Sequence, residues 1–124
     1  MAHKILVVDD DPTVNRLVSK LLTDHGYQVT SAVDGQEALD MVKKEKPALV
    51  VLDVIMPEVN GYDVCYHLRF NEQYKKIPIV ILTSRRQELP DSIGDRMNID
   101  YIGKPFRART LLKKVKHFLK KEDE

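Results

Sequence analysis

Asp53 directly follows the most apolar stretch of the chain, the five residues at 48–52. Such a run predicts a strand that is buried on both faces. A carboxylate is costly inside a buried strand, so we expect Asp53 at the carboxyl end, where the chain leaves the sheet. A second acidic group, formed by Asp9, Asp10 and Asp11, follows the apolar run 5–8 in the same way. The pattern predicts one acidic site at the tips of two neighbouring strands.

Two further side chains reach the same edge of the predicted sheet, because Thr83 follows the run 79–82 and Lys104 follows the run 100–103. Three carboxylates about 5 Å apart would repel by roughly 3 kcal/mol per pair at an effective dielectric near 20. A cation relieves that repulsion, and oxygen ligands without His or Cys favour Mg²⁺. A carboxylate can also act as a nucleophile that forms an aspartyl-phosphate, with Mg²⁺ and Lys104 neutralising charge on the transferred group. The constellation therefore predicts phosphoryl chemistry.

The elements that must position these residues alternate between strand and helix patterns along the whole chain. Strands are predicted at 5–8, 27–32, 48–52, 79–82 and 100–103, and helices at about 11–26, 34–44, 62–70, 90–97 and 107–121. This order predicts an α/β protein, a flavodoxin-like doubly wound (βα)5 three-layer sandwich with a parallel sheet of order 2-1-3-4-5. In that order a ligand crevice opens between the carboxyl ends of strands 1 and 3.

Local signals mark where several of these elements begin and end. Asp11 is predicted to cap the first helix, with Pro12 at its first position. Gly26 and Asn98 are expected to adopt left-handed conformations after helices. The buried stripe of the first helix is predicted to consist of Val14, Leu17, Val18, Leu21 and Leu22. The predicted helix at 90–97 is weak, because it contains Pro90 and Gly94.

Composition sets the class of protein. A chain of 124 residues with 43% hydrophobic and 31% charged residues predicts one domain, 1–124. The net charge of +1 gives no reason to expect direct nucleic-acid binding. The apolar run near residue 5 is too short for a signal peptide or a membrane span, so we expect a cytoplasmic protein with no membrane partner. Cys65 is predicted to be inert core filler, and the four histidines have no metal-ligand spacing.

The motifs at the strand tips, taken together and in order, resemble the receiver domains of response regulators in two-component signalling, including chemotaxis receivers. The resemblance covers essentially the whole chain. It is carried by Val8-Asp9-Asp10-Asp11-Pro12, Leu52-Asp53-Val54-Ile55-Met56-Pro57, Asn60-Gly61, Ile81-Leu82-Thr83-Ser84 and Lys104-Pro105-Phe106.

The resemblance implies a role for each residue of the acidic site. Asp53 would accept a phosphoryl group from a sensor histidine kinase or a phosphotransfer protein. Asp10 would ligate Mg²⁺ directly, Asp9 would act partly through water, and the backbone carbonyl of Ile55 would complete the protein ligands. Ile55 has no polar group to orient an attacking water molecule, so we expect slow self-dephosphorylation.

The resemblance also implies a switch rather than an enzyme that turns over a separate substrate. Thr83 would hydrogen-bond the phosphoryl group, Lys104 would pair with it, and Tyr101 would rotate inward on activation. Shifting a two-state protein from about 1% to about 99% active needs about 5.5 kcal/mol. The two charge-assisted hydrogen bonds would supply roughly 1.5–3 kcal/mol each. The only reactions expected are the domain's own phosphorylation and dephosphorylation.

Receivers of this kind commonly bind partners through the face formed by the fourth helix, fifth strand and fifth helix. The downstream target is unknown. A homodimer is one alternative for the oligomeric state, and the chain is either a stand-alone receiver, a relay intermediate or part of a longer regulator. The basic residues of the fifth helix form either a solvated face or a docking patch. Met97-Asn98-Ile99 stands where many family members have Gly-Ala-Asp, which affects the output face rather than the phosphorylation site.

Two alternatives are kept. Residues 5–13 also match the first motif of haloacid-dehalogenase-type phosphatases, in which Asp9 would be the nucleophile. That family needs an acidic pair after its lysine, and here only acids beyond the last helix follow Lys104. The second alternative is a receiver-like interaction module that is never phosphorylated. The presence of the acidic, threonine and lysine residues together argues against it.

Overall fold

The computed structural model describes residues 3–53, 61–83, 98–103 and 106–122. Only the backbone is described for Asp53, Gly61, Tyr62, Thr83, Tyr101, Lys121 and Glu122. Within these ranges the strands are β1 (Lys4–Val8), β2 (Gln28–Ala32), β3 (Leu49–Asp53), β4 (Ile79–Thr83) and β5 (Ile99–Gly103). The helices are α1 (Pro12–Asp24), α2 (Gly35–Glu45), α3 (Gly61–Arg69) and α4 (Ala108–Glu122). The predicted helix at 90–97 lies outside the described residues.

The strands form a parallel sheet in the order β2-β1-β3-β4-β5, as predicted. β1 lies between β2 and β3, and its last residue, Val8, pairs with Ala32 on one side and Leu52 on the other. β3 and β4 extend one residue beyond the predicted strands, to Asp53 and Thr83. The chain leaves β1 and β3 at the point where the strand order reverses, which is where a ligand crevice forms in such sheets.

Helices cover both faces of the sheet. Side chains alternate between the two faces along each strand, so neighbouring residues pack in different layers. Leu6 and Val8 pack with α2 and α3 in one cluster, whereas Ile5 and Val7 pack with α1 and α4 in the other. The near-continuous apolar character of β1, β3 and β4 follows from this burial on both sides. The three-layer sandwich predicted from the sequence is confirmed.

The helix boundaries follow from capping residues. The Asp11 carboxylate accepts the backbone N–H groups of Thr13 and Val14 at 2.9 and 3.4 Å, so it caps α1 as predicted. Asp34 caps α2 by accepting the N–H of Glu37 at 2.8 Å. Gly26 has φ of +92° and Asn98 has φ of +54°, the left-handed conformations that the sequence predicted. The two aspartates fix where α1 and α2 begin.

The predicted buried stripe of α1 is wrong at Leu17, whose side chain is 63% exposed. Val18 and Leu22 are buried as expected, and the third buried residue of the helix is Asn15. At about 100° per residue, the direction of Leu17 lies roughly a third of a turn from the centre of these three. The helix therefore presents to the sheet a face that includes Asn15, and this turns Leu17 toward solvent.

None of the helices in the described part of the chain is long and apolar enough to cross a membrane. The longest of them, α4, has 15 residues and alternates basic residues with its buried stripe. Leu111, Val115, Phe118 and Leu119 of that stripe pack on the sheet. The helix is amphipathic, which suits a layer that covers one face of the sheet.

Candidate functional site

The site is positioned by the register of the central strands at their carboxyl ends. Val8 pairs with Leu52, so Asp9 and Asp53 are the next residues along two neighbouring parallel strands. Such strands lie about 4.8 Å apart, which places the two backbones side by side. On the next strand, Leu82 pairs with Asp53 and Thr83 follows it. The predicted meeting of β1, β3 and β4 at one edge is confirmed for the backbone.

Asp9 is a buried carboxylate, with 1% of its surface exposed. Its Oδ1 atom accepts the backbone N–H of Asp11 at 2.9 Å, and its own N–H donates to the carbonyl of Ala32 at 3.1 Å. A buried carboxylate is costly unless it is hydrogen-bonded or paired with a cation. The burial of Asp9 at a strand tip is therefore typical of a functional acid rather than of a surface charge.

Asn15 was not singled out from the sequence, yet it lies directly against the strand tip. Its Nδ2 group donates to the carbonyl of Asp9 at 3.1 Å and to that of Ala32 at 3.0 Å. The Ser19 hydroxyl donates to Asn15 Oδ1 at 3.3 Å. The available signal was a polar residue at helical spacing from Val18 and Leu22, which favours the buried face of α1.

Asp10 and Asp11 differ in role although they are adjacent. Asp11 is occupied in capping α1, so it is a helix cap as the sequence indicated. Asp10 is exposed at the strand tip, where a carboxylate can reach a ligand from solvent. Of the acidic run, Asp9 and Asp10 are therefore the two residues that the structure leaves at the predicted site.

The remaining predicted site residues are placed only in part. Thr83 pairs with Gly103, the residue before Lys104, and Tyr101 pairs with Ile81 on the same two strands. Ile55 and Lys104 lie outside the described residues. Among side chains that the structure does describe, no three His, Cys, Asp or Glu residues form a group that could hold a metal ion. The predicted ligand set includes Asp53 and Ile55, so it stays a prediction.

Cys65 is buried in the core, whereas three of the four histidines lie on the surface. Burial raises the pKa of the Cys65 thiol to about 12, a shift that the nearby Arg69 guanidinium only partly opposes. A thiol with such a raised pKa is a poor nucleophile at neutral pH, which confirms the expected inert core residue. His25, His67 and His117 are exposed and His3 is half-buried.

The family follows from comparison with known proteins. A family model described as the response regulator receiver domain matches residues 5–116. The chain belongs to the response-regulator receiver family. Receiver domains of this family are signalling domains of two-component regulators, as the motifs at the strand tips indicated. No comparison supports the phosphatase alternative with Asp9 as nucleophile.

Known relatives of this receiver domain include full-length transcriptional regulators. The alkaline phosphatase synthesis transcriptional regulatory protein PhoP of Bacillus subtilis is 40% identical over 124 residues, which cover 99% of the chain and 51% of PhoP. The chain thus spans about half the length of the curated relatives that it matches.

Solved structures give the same fold. The chemotaxis response regulator CheY4 of Vibrio cholerae has a TM-score of 0.84 at 34% identity, with 95% of this chain and 99% of CheY4 covered. The receiver domain of the sensor histidine kinase PA1611 of Pseudomonas aeruginosa has a TM-score of 0.82 at 24% identity, with 95% and 98% covered. That structure is described with a magnesium ion coordinated in the active-site cleft. At this lower identity the likeness shows the fold alone.

Proposed function

We propose that this receiver domain, residues 1–124, is a phosphorylation-activated signalling switch in which Asp53 is the phosphoacceptor. The observation that carries the proposal is the register that brings Asp53 beside the buried Asp9 at the reversal point of the sheet. A histidine kinase or phosphotransfer protein would present a phosphohistidine there. The phosphorus–nitrogen bond would break as an Asp53 carboxylate oxygen forms a bond to phosphorus. The phosphohistidine, protonated on its other ring nitrogen, would leave as neutral imidazole.

The residues at the strand tips suit magnesium. The proposed ligands are the carboxylates of Asp9, Asp10 and Asp53 and the backbone carbonyl of Ile55. Hard oxygen donors that include carboxylates match the preference of Mg²⁺, and burial of Asp9 is favoured by a nearby cation. When bound, the ion would neutralise charge on the phosphoryl group. The Pseudomonas receiver with magnesium in its cleft supports this choice, because it shares the fold.

Thr83 and Tyr101 are proposed to convert phosphorylation into a conformational change. They lie on the neighbouring strands β4 and β5, two residues apart in register, because Thr83 pairs with Gly103. Movement of Thr83 toward the phosphoryl group would vacate space for Tyr101, while Lys104 pairs with the phosphoryl charge. We expect a Thr83→Ala protein, once phosphorylated, to lack the full shift at Tyr101 that NMR detects in the wild type. A full wild-type shift in that variant would contradict this role.

The proposed output surface includes β5 and α4. Lys114 Nζ on α4 lies 2.5 Å from Asp100 Oδ2 on β5, so one basic residue joins the two elements. The structure also describes the other basic side chains of α4 and that of the residue before it. All of them are exposed, namely Arg107, Arg109, Lys113, Lys116 and Lys120. An exposed basic surface suits an acidic partner. The proposal includes a downstream target or a second copy of the chain that binds this face. It also includes a cytoplasmic location.

The phosphoacceptor is tested by incubation with acetyl phosphate and Mg²⁺, followed by intact-mass measurement. We expect a phosphoryl-sized gain in the wild type and none in Asp53→Asn, which preserves the shape of the side chain and removes the nucleophile. Asp9→Asn is the matched control and should be phosphorylated more slowly at the same residue. A gain that persists in Asp53→Asn would refute the assignment.

The same variants discriminate against a phosphatase. Turnover of a generic phosphate ester that is lost in Asp9→Asn and retained in Asp53→Asn would favour the enzyme. The burial of Asp9 and its hydrogen bond from Asp11 argue against that outcome, because a nucleophile must reach the substrate. The lifetime of the phosphorylated wild type is a further check, because Ile55 has no polar group that could orient an attacking water molecule. A phosphoryl half-life of seconds would contradict the expected slow self-dephosphorylation.

A further inference from the structure

Asn15 is one of two polar side chains that are buried in the described part of the chain, and the other is Asp9. Asn15 uses both amide hydrogens on backbone carbonyls, those of Asp9 and Ala32. The Ala32 carbonyl also accepts the N–H of Asp9. These bonds join the carboxyl ends of β1 and β2 to the first turns of α1, directly beside the acidic site.

The hydrogen bond to the Asp9 carbonyl fixes more than one residue. A peptide unit is planar, and its C=O and N–H groups point in opposite directions. Holding the Asp9 carbonyl toward Asn15 therefore fixes the direction of the Asp10 N–H and the path of the chain into Asp10. Through one peptide plane, Asn15 constrains the Cα positions of Asp9 and Asp10, from which the two acidic side chains extend.

Asn15 is itself held in place from the helix. The Ser19 hydroxyl one turn later donates to its Oδ1 atom, so the amide is oriented at both ends. The start of α1 is fixed by the Asp11 cap, and Asp11 N–H binds the Asp9 carboxylate. Asp9 is thus held at its side chain by the loop and at its carbonyl by Asn15.

We propose that Asn15 is a positioning residue that fixes Asp9 and Asp10 in the arrangement from which they bind the metal ion. The inference rests on the proposed function for the metal site, and on the observed hydrogen bonds for the positioning. Without the amide, the Asp9–Asp10 peptide would sample other orientations, and binding of Mg²⁺ would have to order it. Asn15 would act through the backbone and without contact to the ion or the phosphoryl group.

The test compares Asn15→Leu with Val18→Ala. Leucine has the same branched shape and the same number of side-chain heavy atoms and removes both donors, whereas Val18→Ala weakens the packing of the same helix face and leaves both donors in place. Titration with Mg²⁺ alone, followed by calorimetry, should give a Kd about 3- to 10-fold higher for Asn15→Leu, the range expected for the net loss of one neutral hydrogen bond. Val18→Ala should leave the Kd unchanged. Ser19→Ala should fall between the two, because it frees the amide without removing it.

A readout without metal separates this inference from the proposed function. The Asp9 N–H donates to the Ala32 carbonyl and the Asp11 N–H to the Asp9 carboxylate. Hydrogen exchange of these two amides in magnesium-free buffer should accelerate in Asn15→Leu and not in Val18→Ala. Equal effects of the two variants on exchange and on Kd would reduce Asn15 to a packing residue and overturn the inference, as would a wild-type Kd in Asn15→Leu. If the wild type binds no Mg²⁺, the metal site of the proposed function fails, and the exchange rates still decide whether Asn15 holds the segment.

Discussion

In the described part of the chain, two side chains each bind a pair of backbone carbonyls, at opposite edges of the sheet. Asn15 binds the carbonyls of Asp9 and Ala32 at the carboxyl edge. Arg69, at the end of α3, donates from Nη1 to the carbonyl of Lys75 and from Nη2 to that of Ile77, just before β4 begins. The first is a neutral amide, and the second is a guanidinium.

The difference follows from what each edge contains. A unit charge about 5 Å from a carboxylate interacts with it by roughly 3 kcal/mol at an effective dielectric near 20. A guanidinium beside Asp9 would act on the acidic site at that scale, whereas the Asn15 amide leaves the charge of the site unchanged. Burial lowers the pKa of Arg69, but a guanidinium stays protonated near neutral pH. The charged donor lies where β4 begins, and the neutral donor lies beside the acidic site.

Of the two side chains that bind pairs of carbonyls, Arg69 should contribute more to stability. Arg69→Leu leaves two carbonyls without their charged donor, so we expect the free energy of unfolding to fall by about 2–4 kcal/mol. Urea denaturation followed by circular dichroism measures this loss. Arg69→Lys is the control, because one ammonium cannot bind both carbonyls in the geometry of the planar fork, and it should recover only part of the loss. Binding of Mg²⁺ should be unchanged in both variants.

Asn15→Leu should destabilise the fold less, by about 1–2 kcal/mol, because neutral donors are lost. The same urea experiment measures it. A loss greater than that of Arg69→Leu would contradict this order, because the hydrogen bonds of the neutral amide would then contribute more to stability than those of the guanidinium. Together with the magnesium titration, the two variants are expected to separate: one mainly loses stability and the other mainly loses metal affinity.

Cys65 lies one turn before Arg69 and provides a pH dependence. Its pKa is raised in the folded state from an ordinary value of 9.0 to about 12. Its contribution to stability is therefore complete below pH 9 and decreases as the pH rises toward 12. Relative to Cys65→Ala, the wild type should lose about 1 kcal/mol of unfolding free energy between pH 8 and pH 10. Equal losses in both proteins would show that the thiol ionises alike in the folded and unfolded states.

The smallest effect is expected at Leu17. Because its side chain is exposed, Leu17→Ala should change the free energy of unfolding by less than about 0.5 kcal/mol. Leu22→Ala, the same change at a buried position of the same helix, should cost about 2–5 kcal/mol. If the two losses were similar, α1 would not be oriented with Asn15 on its inner face.

The fold was predictable because its signals are local or follow from strand order. The apolar runs gave the strands, and Asp11, Gly26 and Asn98 marked boundaries by their capping or left-handed conformations. Leu17 was assigned to the wrong side because apolar spacing does not reveal that a polar residue has a partner inside. The orientation of α1 depends on a carbonyl from β2, and no pattern within the helix reports that carbonyl.

The candidate site was predictable to the level of the backbone. The acids at the ends of apolar runs pointed to the carboxyl edge, and the register places Asp9 beside Asp53 as expected. Asn15 and Arg69 were missed for one physical reason. Each bonds to main-chain carbonyls, and these carry no residue identity that a sequence pattern could show. Ile55 and Lys104 lie outside the described residues, and their roles stay predictions.

The pairing of β1 on both sides has an evolutionary consequence. An insertion or deletion of a single residue inside β1 would exchange the side chains of its two faces, so that Leu6 and Ile5 would trade layers. It would also move Asp9 along the strand by about 3.3 Å relative to Asp53. Length variation among related sequences should therefore avoid the interior of β1 and occur in the connections between strands and helices.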